Sequence, residues 1–331
     1  MVAHGPSIAF DTSAEIRLGG MTPAEDIFTP GRATDLVQPD GRPYPEFRAE
    51  LRKVSNVRNA FTIVALYAQT IAILVVAVRL GWWAWPIAFI LMGRAHAQFA
   101  ALMHEAAHRL LFTNKEWNDR IGRWVLGYIG LVSTDAYRRV HMAHHRREFG
   151  PEEPDLPLYQ GYPVTKESMR RKLLRDATGR TGLRLLKYQF APRRWADPRQ
   201  RKVLSSMVVV HAGLFAISIL VGQPLVYPVL WILPFLTLWR VINRLRSIAE
   251  HGGLEASKDR RVTTHCIRQD PITRFIMAPY QLGYHLEHHV DSGVPFRSLP
   301  KYHRALKESG YITDEYEYRS YPALWKALSA G

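Results

Sequence analysis

The 331 residues are 47% hydrophobic, 22% charged and 11% aromatic, a balance too apolar and aromatic for a disordered chain. A single cysteine, Cys266, excludes a disulfide scaffold and a zinc finger built on thiolate pairs. Lys and Arg outnumber Asp and Glu by 44 to 29, and the resulting charge of +15 calls for an anionic partner such as nucleic acid, lipid headgroups or an acidic carrier. No Walker lysine motif is present.

Along the chain, residues 1–45 carry six prolines and no apolar run, so they read as a disordered tail rather than a signal peptide. Residues 46–59 read as a basic juxtamembrane helix. Four apolar segments follow, at about 61–80, 82–103, 203–222 and 224–242. Each is near the roughly 18–20 residues that span a bilayer, and each is hydrophobic all round rather than on one face. They pair into two hairpins through Gly81 and through Gly222-Gln223-Pro224. A shorter stretch, 121–133, predicts an interfacial element. The connection 104–202 holds 21 basic and 11 acidic residues. The positive-inside rule therefore assigns it and both termini to the cytoplasm, with Trp82, Trp83 and Trp85 at the opposite interface. Much of the charge then serves topology and anionic lipid, not nucleic acid. The fold class expected is an all-α integral membrane protein: four transmembrane helices in two hairpins under a cytoplasmic helical cap. A tail is expected at 1–45, the main domain at 46–305 and a cytoplasmic C-terminal tail at 306–331.

Eight of the 14 histidines fall in three clusters, HEAAH at 104–108, HMAHH at 141–145 and HLEHH at 285–289. Residues four apart share one helix face, so His104 with His108, His141 with His145 and His285 with His289 can each address one metal region. His144 and His288 lie three residues from the first of their cluster, near the same face. Imidazole suits iron, copper or zinc, and eight convergent imidazoles exceed the needs of one ion, so two metals are expected. His251, just past the fourth apolar segment, shares a face with Asn243 and Ser247 and has Glu250 beside it, which makes it a ninth candidate. His96, near Arg94, is expected to line a cavity and His211 to pack against a neighbouring helix. His4, His265, His303 and Cys266 read as unexceptional, the three histidines at the surface.

In order, spacing and flanks these motifs resemble the membrane fatty acid desaturase and hydroxylase superfamily of histidine-box di-iron proteins. The resemblance covers about residues 60–305, through HEAAH, RRVHMAHHRREFGPEEPD and YHLEHHVDSGVPFRSLPKYH, including Val294-Pro295 and Leu299-Pro300. It implies two iron ions activating dioxygen, held by His104, His108, His141, His144, His145, His285, His288 and His289, with His251 as ninth ligand. Some members carry asparagine four residues before the ninth histidine, where this chain has Ser247. Ser247, Glu250, Glu105 and Glu287 are accordingly candidates for orienting the ligands.

The function this implies is oxygen-dependent desaturation of a fatty acyl chain, with hydroxylation or ketolation of a lipid, sphingolipid or carotenoid as the alternative. Acyl-CoA, acyl-carrier protein and phospholipid are all acidic and equally compatible with the charge. No haem or ferredoxin domain is visible in the chain, so an external donor such as a ferredoxin or haem protein is expected. Two other classes compete. A membrane zinc protease would use His104 and His108 with Glu105 as base. A metal-storing or metal-sensing protein would bind metal without consuming oxygen.

Overall fold

A computed structural model describes residues 18–331. The described residues are mostly helical, and their strands are two short segments, β1 (Cys266–Ile267) and β2 (Glu317–Tyr318), paired in parallel. Helix α1 (Pro45–Leu51) leads into α2 (Asn56–Leu80) and α3 (Trp85–Ala107). Two helical stretches, Pro45–Ala107 and Pro198–Leu220, contain windows long and apolar enough to cross a membrane. Gly81 turns the first hairpin at φ 75°, a conformation open to glycine and strained for other residues. Val57, Phe61, Val64, Ile71, Val75 and Val76 of α2 remain exposed. Apolar surface on that scale is uncovered by protein and suited to lipid. Trp82 and Trp83 stack, exposed, at the hairpin end far from His104.

Helix α3 is the axis of the main core. Met92, Phe99 and Leu102 are fully buried among Leu66, Leu126 and Leu230. Beyond it lie α4 (Lys115–Ile121), α5 (Thr134–Arg147), α6 (Lys166–Ala177), α7 (Arg180–Gln189) and the second long apolar helix, α8 (Pro198–Leu220). The stretch expected at the interface, 121–133, is a π-helical turn at Gly122–Gly127 followed by a 3-10 turn at Tyr128–Gly130. It lies close on α3, with the Gly122 backbone against Ala106.

The fourth apolar segment departs from the single span expected at 224–242. It opens as a π-helical turn, Tyr227–Ile232, continues through Leu233–Leu236, and breaks at Thr237 (φ −117°, ψ −85°). Pro228 and Pro234 remove two amide donors from this run, which accounts for its irregularity. A new helix, α9 (Leu238–His251), then carries the chain out to His251.

The two chain ends are described in part. Residues 1–17 lie outside the described residues. From residue 18 the chain is ordered against the cap: Gly19 and Met21 donate backbone bonds to Leu254 and Gly253, Arg32 to Ser309, and Val37 is fully buried. Its backbone groups pair partly with loops of the cap and partly with each other, as in Gly31 N to Pro39 O and Gln38 N to Arg42 O. At the C-terminal end, α10 (His285–Val290), α11 (Leu299–Glu308) and α12 (Tyr321–Leu328) belong to the same body. Leu324 and Leu328 of α12 are fully buried, and Trp325 donates to Leu245 O of α9 at 2.9 Å.

Gly127 admits no side chain. A Cβ there would lie 2.4 Å from Thr134 Oγ1 and 2.8 Å from the Val132 carbonyl oxygen, while Thr134 Oγ1 is held by its bond to Gly122 O at 2.6 Å. Gly127→Ala should destabilise the protein by about 1–3 kcal/mol, read as a lowered Tm in detergent. An unchanged Tm would show that the turn has room to move.

Candidate metal centre

The first histidine pair sits on the last turn of α3, where helix carbonyls lack intrahelical donors. Arg138, on the helix that carries the second cluster, supplies them: its guanidinium donates to Ala107 O at 2.8 Å and Ala106 O at 3.0 Å. Asn118 Nδ2 adds a bond to Ala106 O at 2.9 Å. Asp119 accepts from Arg138 at 2.5 Å and from Arg109 at 2.7 Å. Burial works against the Asp119 carboxylate, but these two guanidiniums hold its pKa well below the ordinary range. The first and second clusters are thereby fastened at a fixed offset.

The third cluster forms α10, and His251 closes the last turn of α9. Together these elements bring nine imidazoles into two groups. His104, His108, His141, His145 and His288 form one, and His144, His251, His285 and His289 the other. Within each group one nitrogen per ring lies within 4.8 Å of all the others. Nε2 faces Nε2 at 3.1 Å for His141–His145, 3.1 Å for His145–His288 and 3.0 Å for His251–His285. The groups adjoin, with the His145 and His289 rings 4.3 Å apart.

The outward nitrogens explain the inward ones. His251 Nδ1–H donates to Thr263 O at 2.8 Å, His289 Nδ1–H to Glu148 at 2.6 Å, and His144 Nδ1 bonds closely to Glu153. A neutral ring that donates through Nδ1 keeps a lone pair on Nε2. Burial holds the pKa values of His145, His285, His288 and His289 well below the ordinary histidine value, favouring this neutral, ligating form. His144 is the exception, because Glu153 outweighs burial and raises it. Both nitrogens of His104, and Nε2 of His108 and of His289, are buried without a hydrogen-bond partner. Lone pairs aimed at one another in a dry site repel unless cations lie between them. The donor set therefore fits two imidazole-ligated transition metals.

Of the four polar residues expected to orient ligands, Glu250 alone lies against a cluster ring. Glu105 accepts from Phe296 N at 2.9 Å, tying α3 to the segment after the third cluster. Glu287 accepts from His303 Nδ1 at 2.5 Å. The Ser247 hydroxyl donates back to Asn243 O at 2.8 Å, within its own helix. Glu250 pairs with Arg246 at 2.6 Å and lies 3.5 Å from His285 Nδ1, the one contact of the four with a cluster ring. The carboxylates that do grip cluster rings are Glu148 and Glu153. Both lie in the acidic stretch EFGPEEPD after the second cluster, and that acidity within a basic region is the signal that could have found them. Arg260 backs Glu148 at 2.6 Å.

Of the remaining histidines, His96 donates to Trp231 O and lines a cavity, and His211 packs between Tyr227 and Tyr128. His265, expected at the surface, is buried and donates to Gly252 O at 2.8 Å. His4 lies outside the described residues. His303 converges with Cys266 and Glu317, but Glu317 is held by Lys307 at 2.9 Å and His303 by Glu287, a paired ionic cluster.

Two outcomes are expected. Glu153→Ala should weaken metal retention about 10–100-fold, measured as metal content after graded chelator challenge, because the ring it orients loses its outer partner. Asp119→Asn should lower Tm at pH 7. A carboxylate whose folded pKa is depressed stabilises above its unfolded value of about 3.9 and loses that contribution as pH falls through the folded value. The Tm gap from the parent protein should therefore narrow below about pH 4. A gap independent of pH would exclude the charge as its origin.

The fatty acid desaturase family matches the chain over residues 80–322. Dihydrorhizobitoxine desaturase of Bradyrhizobium elkanii is 30% identical over 279 residues, covering 80% of this chain and 79% of that protein. The histidine groups sit inside the matched region, at the end of the apolar helices, and the chain is a member of the fatty acid desaturase family, an oxidoreductase.

Proposed function

We propose that this protein is an oxygen-dependent di-iron desaturase that introduces a double bond into an acyl substrate, with electrons from an external donor. The observation that carries the reading is the convergence of nine imidazoles, seven of them buried and two half-buried, into two adjoining groups. His104, His108, His141, His145 and His288 would hold one iron, and His144, His251, His285 and His289 the other. Iron bound there would supply the oxidising power that dioxygen needs to attack an unactivated methylene. The overall balance removes two hydrogens from the substrate, takes two electrons and two protons from elsewhere, and releases two waters.

The chain's own residues set the conditions for this. Glu148, Glu153 and Thr263 O fix ring orientation, and the buried surroundings exclude water. Four membrane crossings belong to the proposal, with both termini and the histidines on the cytoplasmic side. The exposed apolar faces of α2 and α8 and the basic connection between the hairpins support it. The match to dihydrorhizobitoxine desaturase supports desaturation over hydroxylation. A zinc protease is disfavoured because Glu105, its base, is bonded to the Phe296 amide and the other seven histidines would have no role.

Mass-spectrometric profiling of acyl compounds in cells expressing the protein beside His288→Ala tests the reading. Products lighter by two hydrogens are expected, reduced about 100-fold or more in the variant. Products heavier by one oxygen would replace desaturation with hydroxylation. Purified protein that retains zinc and no iron would overturn the di-iron assignment.

A further inference from the structure

The positive charge between the two apolar hairpins is concentrated in one stretch, residues 166–202, which holds 13 Lys and Arg against three Asp and Glu. Helices α6 and α7 form a helical hairpin there, turned at Gly179 with φ 76°. Helix α6 lies antiparallel along α9. Met169 shares a buried cluster with Ile248, and Arg244 donates to both oxygens of the buried Asp176. A Cβ on Gly179 would lie 3.4 Å from Thr237 Cγ2, at the break that ends the fourth apolar segment. These contacts fix the height of α6. Its Lys166 end is level with Ile248, near the histidines, and its Ala177 end is level with the close of the apolar run.

One face of α6 is only partly covered by protein. Met169, Leu173, Leu174 and Ala177 recur at helical spacing and form an apolar groove with Val241 of α9. Lys166 and Arg170 line its other end. Leu174 is 51% exposed, and both cations are exposed. Among the described residues neither Lys166 nor Arg170 has a salt-bridge partner. The groove is therefore graded, cationic at the level of the histidines and apolar at the level of the membrane helices. A phospholipid in a bilayer carries the same gradation, with phosphate outside and acyl chain inside. Lys and Arg clustered beside a membrane helix attract anionic headgroups. The hairpin is also continuous with the lipid-suited surface of α8: Gln189 Nε2 lies 3.0 Å from Met207 Sδ, next to the exposed Val208 and Val209. An acidic protein would match the cations and leave the apolar end without a partner.

We propose that the α6 groove binds an anionic phospholipid of the bilayer, its phosphate held by Lys166 and Arg170 and one acyl chain lying along Leu173, Leu174 and Val241. The lipid is a structural ligand, bound apart from the histidine groups. Because it touches both α6 and α9, it ties the helix that ends at His251 to the membrane surface. This rests on the membrane placement proposed above and not on the chemistry at the metals.

The test uses the full-length, metal-loaded protein, delipidated in neutral detergent, and native mass spectrometry with phosphatidylglycerol, phosphatidylcholine of the same chains, and glycerol 3-phosphate. Phosphatidylglycerol should bind about tenfold or more tightly than phosphatidylcholine, because two cations face its net negative headgroup. Glycerol 3-phosphate, which has no chain for the groove, should not displace it. Lys166→Gln combined with Arg170→Gln should erase the preference, and Leu174→Gln should weaken both lipids. Arg32→Gln combined with Arg304→Gln, which removes two exposed cations elsewhere, should leave the preference intact. An equal loss in that control would reduce the effect to net charge and overturn the site. So would equal binding of the two lipids by the parent protein, or a preference unchanged in the Lys166 and Arg170 variant. Displacement of phosphatidylglycerol by acyl-carrier protein would reassign the groove to a protein partner. Protein that stays monodisperse without detergent or lipid would sink the membrane placement itself, a result read apart from lipid selectivity.

Discussion

Nine converging imidazoles, seven of them buried, with ring nitrogens directed at one another are the constraint around which this protein is organised. Left alone they repel, and burial strips away the water that would relieve them. The surroundings hold them in place by working from outside: Glu148, Glu153 and the Thr263 carbonyl each take the outer nitrogen of one ring. The tautomer is thereby set before any metal arrives, so little reorganisation is needed on binding. The same logic reaches outward to Arg260, which neutralises Glu148, so that a carboxylate can sit next to the centre without being pushed out of it.

The scaffold for this arrangement is the end of α3. A helix that finishes inside a protein must find donors for its last carbonyls, and here Arg138 provides them from the helix bearing the second histidine cluster. A requirement of helix termination thus fixes the offset between two of the three histidine clusters. Glu105 extends the connection to the third cluster through the Phe296 amide. The residue type that sequence motifs associate with a catalytic base serves here as a structural tie.

Lipid-compatible surface and polar machinery are separated along the same helices. Phe61, Val64 and Ile71 point outward from α2, while Asn59 near its start binds Arg297 and Leu111 O beneath the cap. Residues 18–45 and the C-terminal helix close the cap from two sides, and Val37, Leu324 and Leu328 are as buried as the residues of the α3 core.

The periodicity of the three clusters was sufficient by itself to select eight of the nine histidines, because residues three and four apart must share a helix face. Helical class and the two long apolar helices followed from runs of uncharged residues for the same local reason. What local spacing cannot carry is long-range pairing. It did not determine that His288 joins the first cluster's group while His289, next to it, joins the other, since that depends on how α10 is rotated against α3 and α5. Nor did it indicate that Glu148 and Glu153, rather than Glu105 and Glu287, reach the rings. A carboxylate's partner is set by which backbone amide or side chain lies opposite, and only the packed tertiary structure decides that.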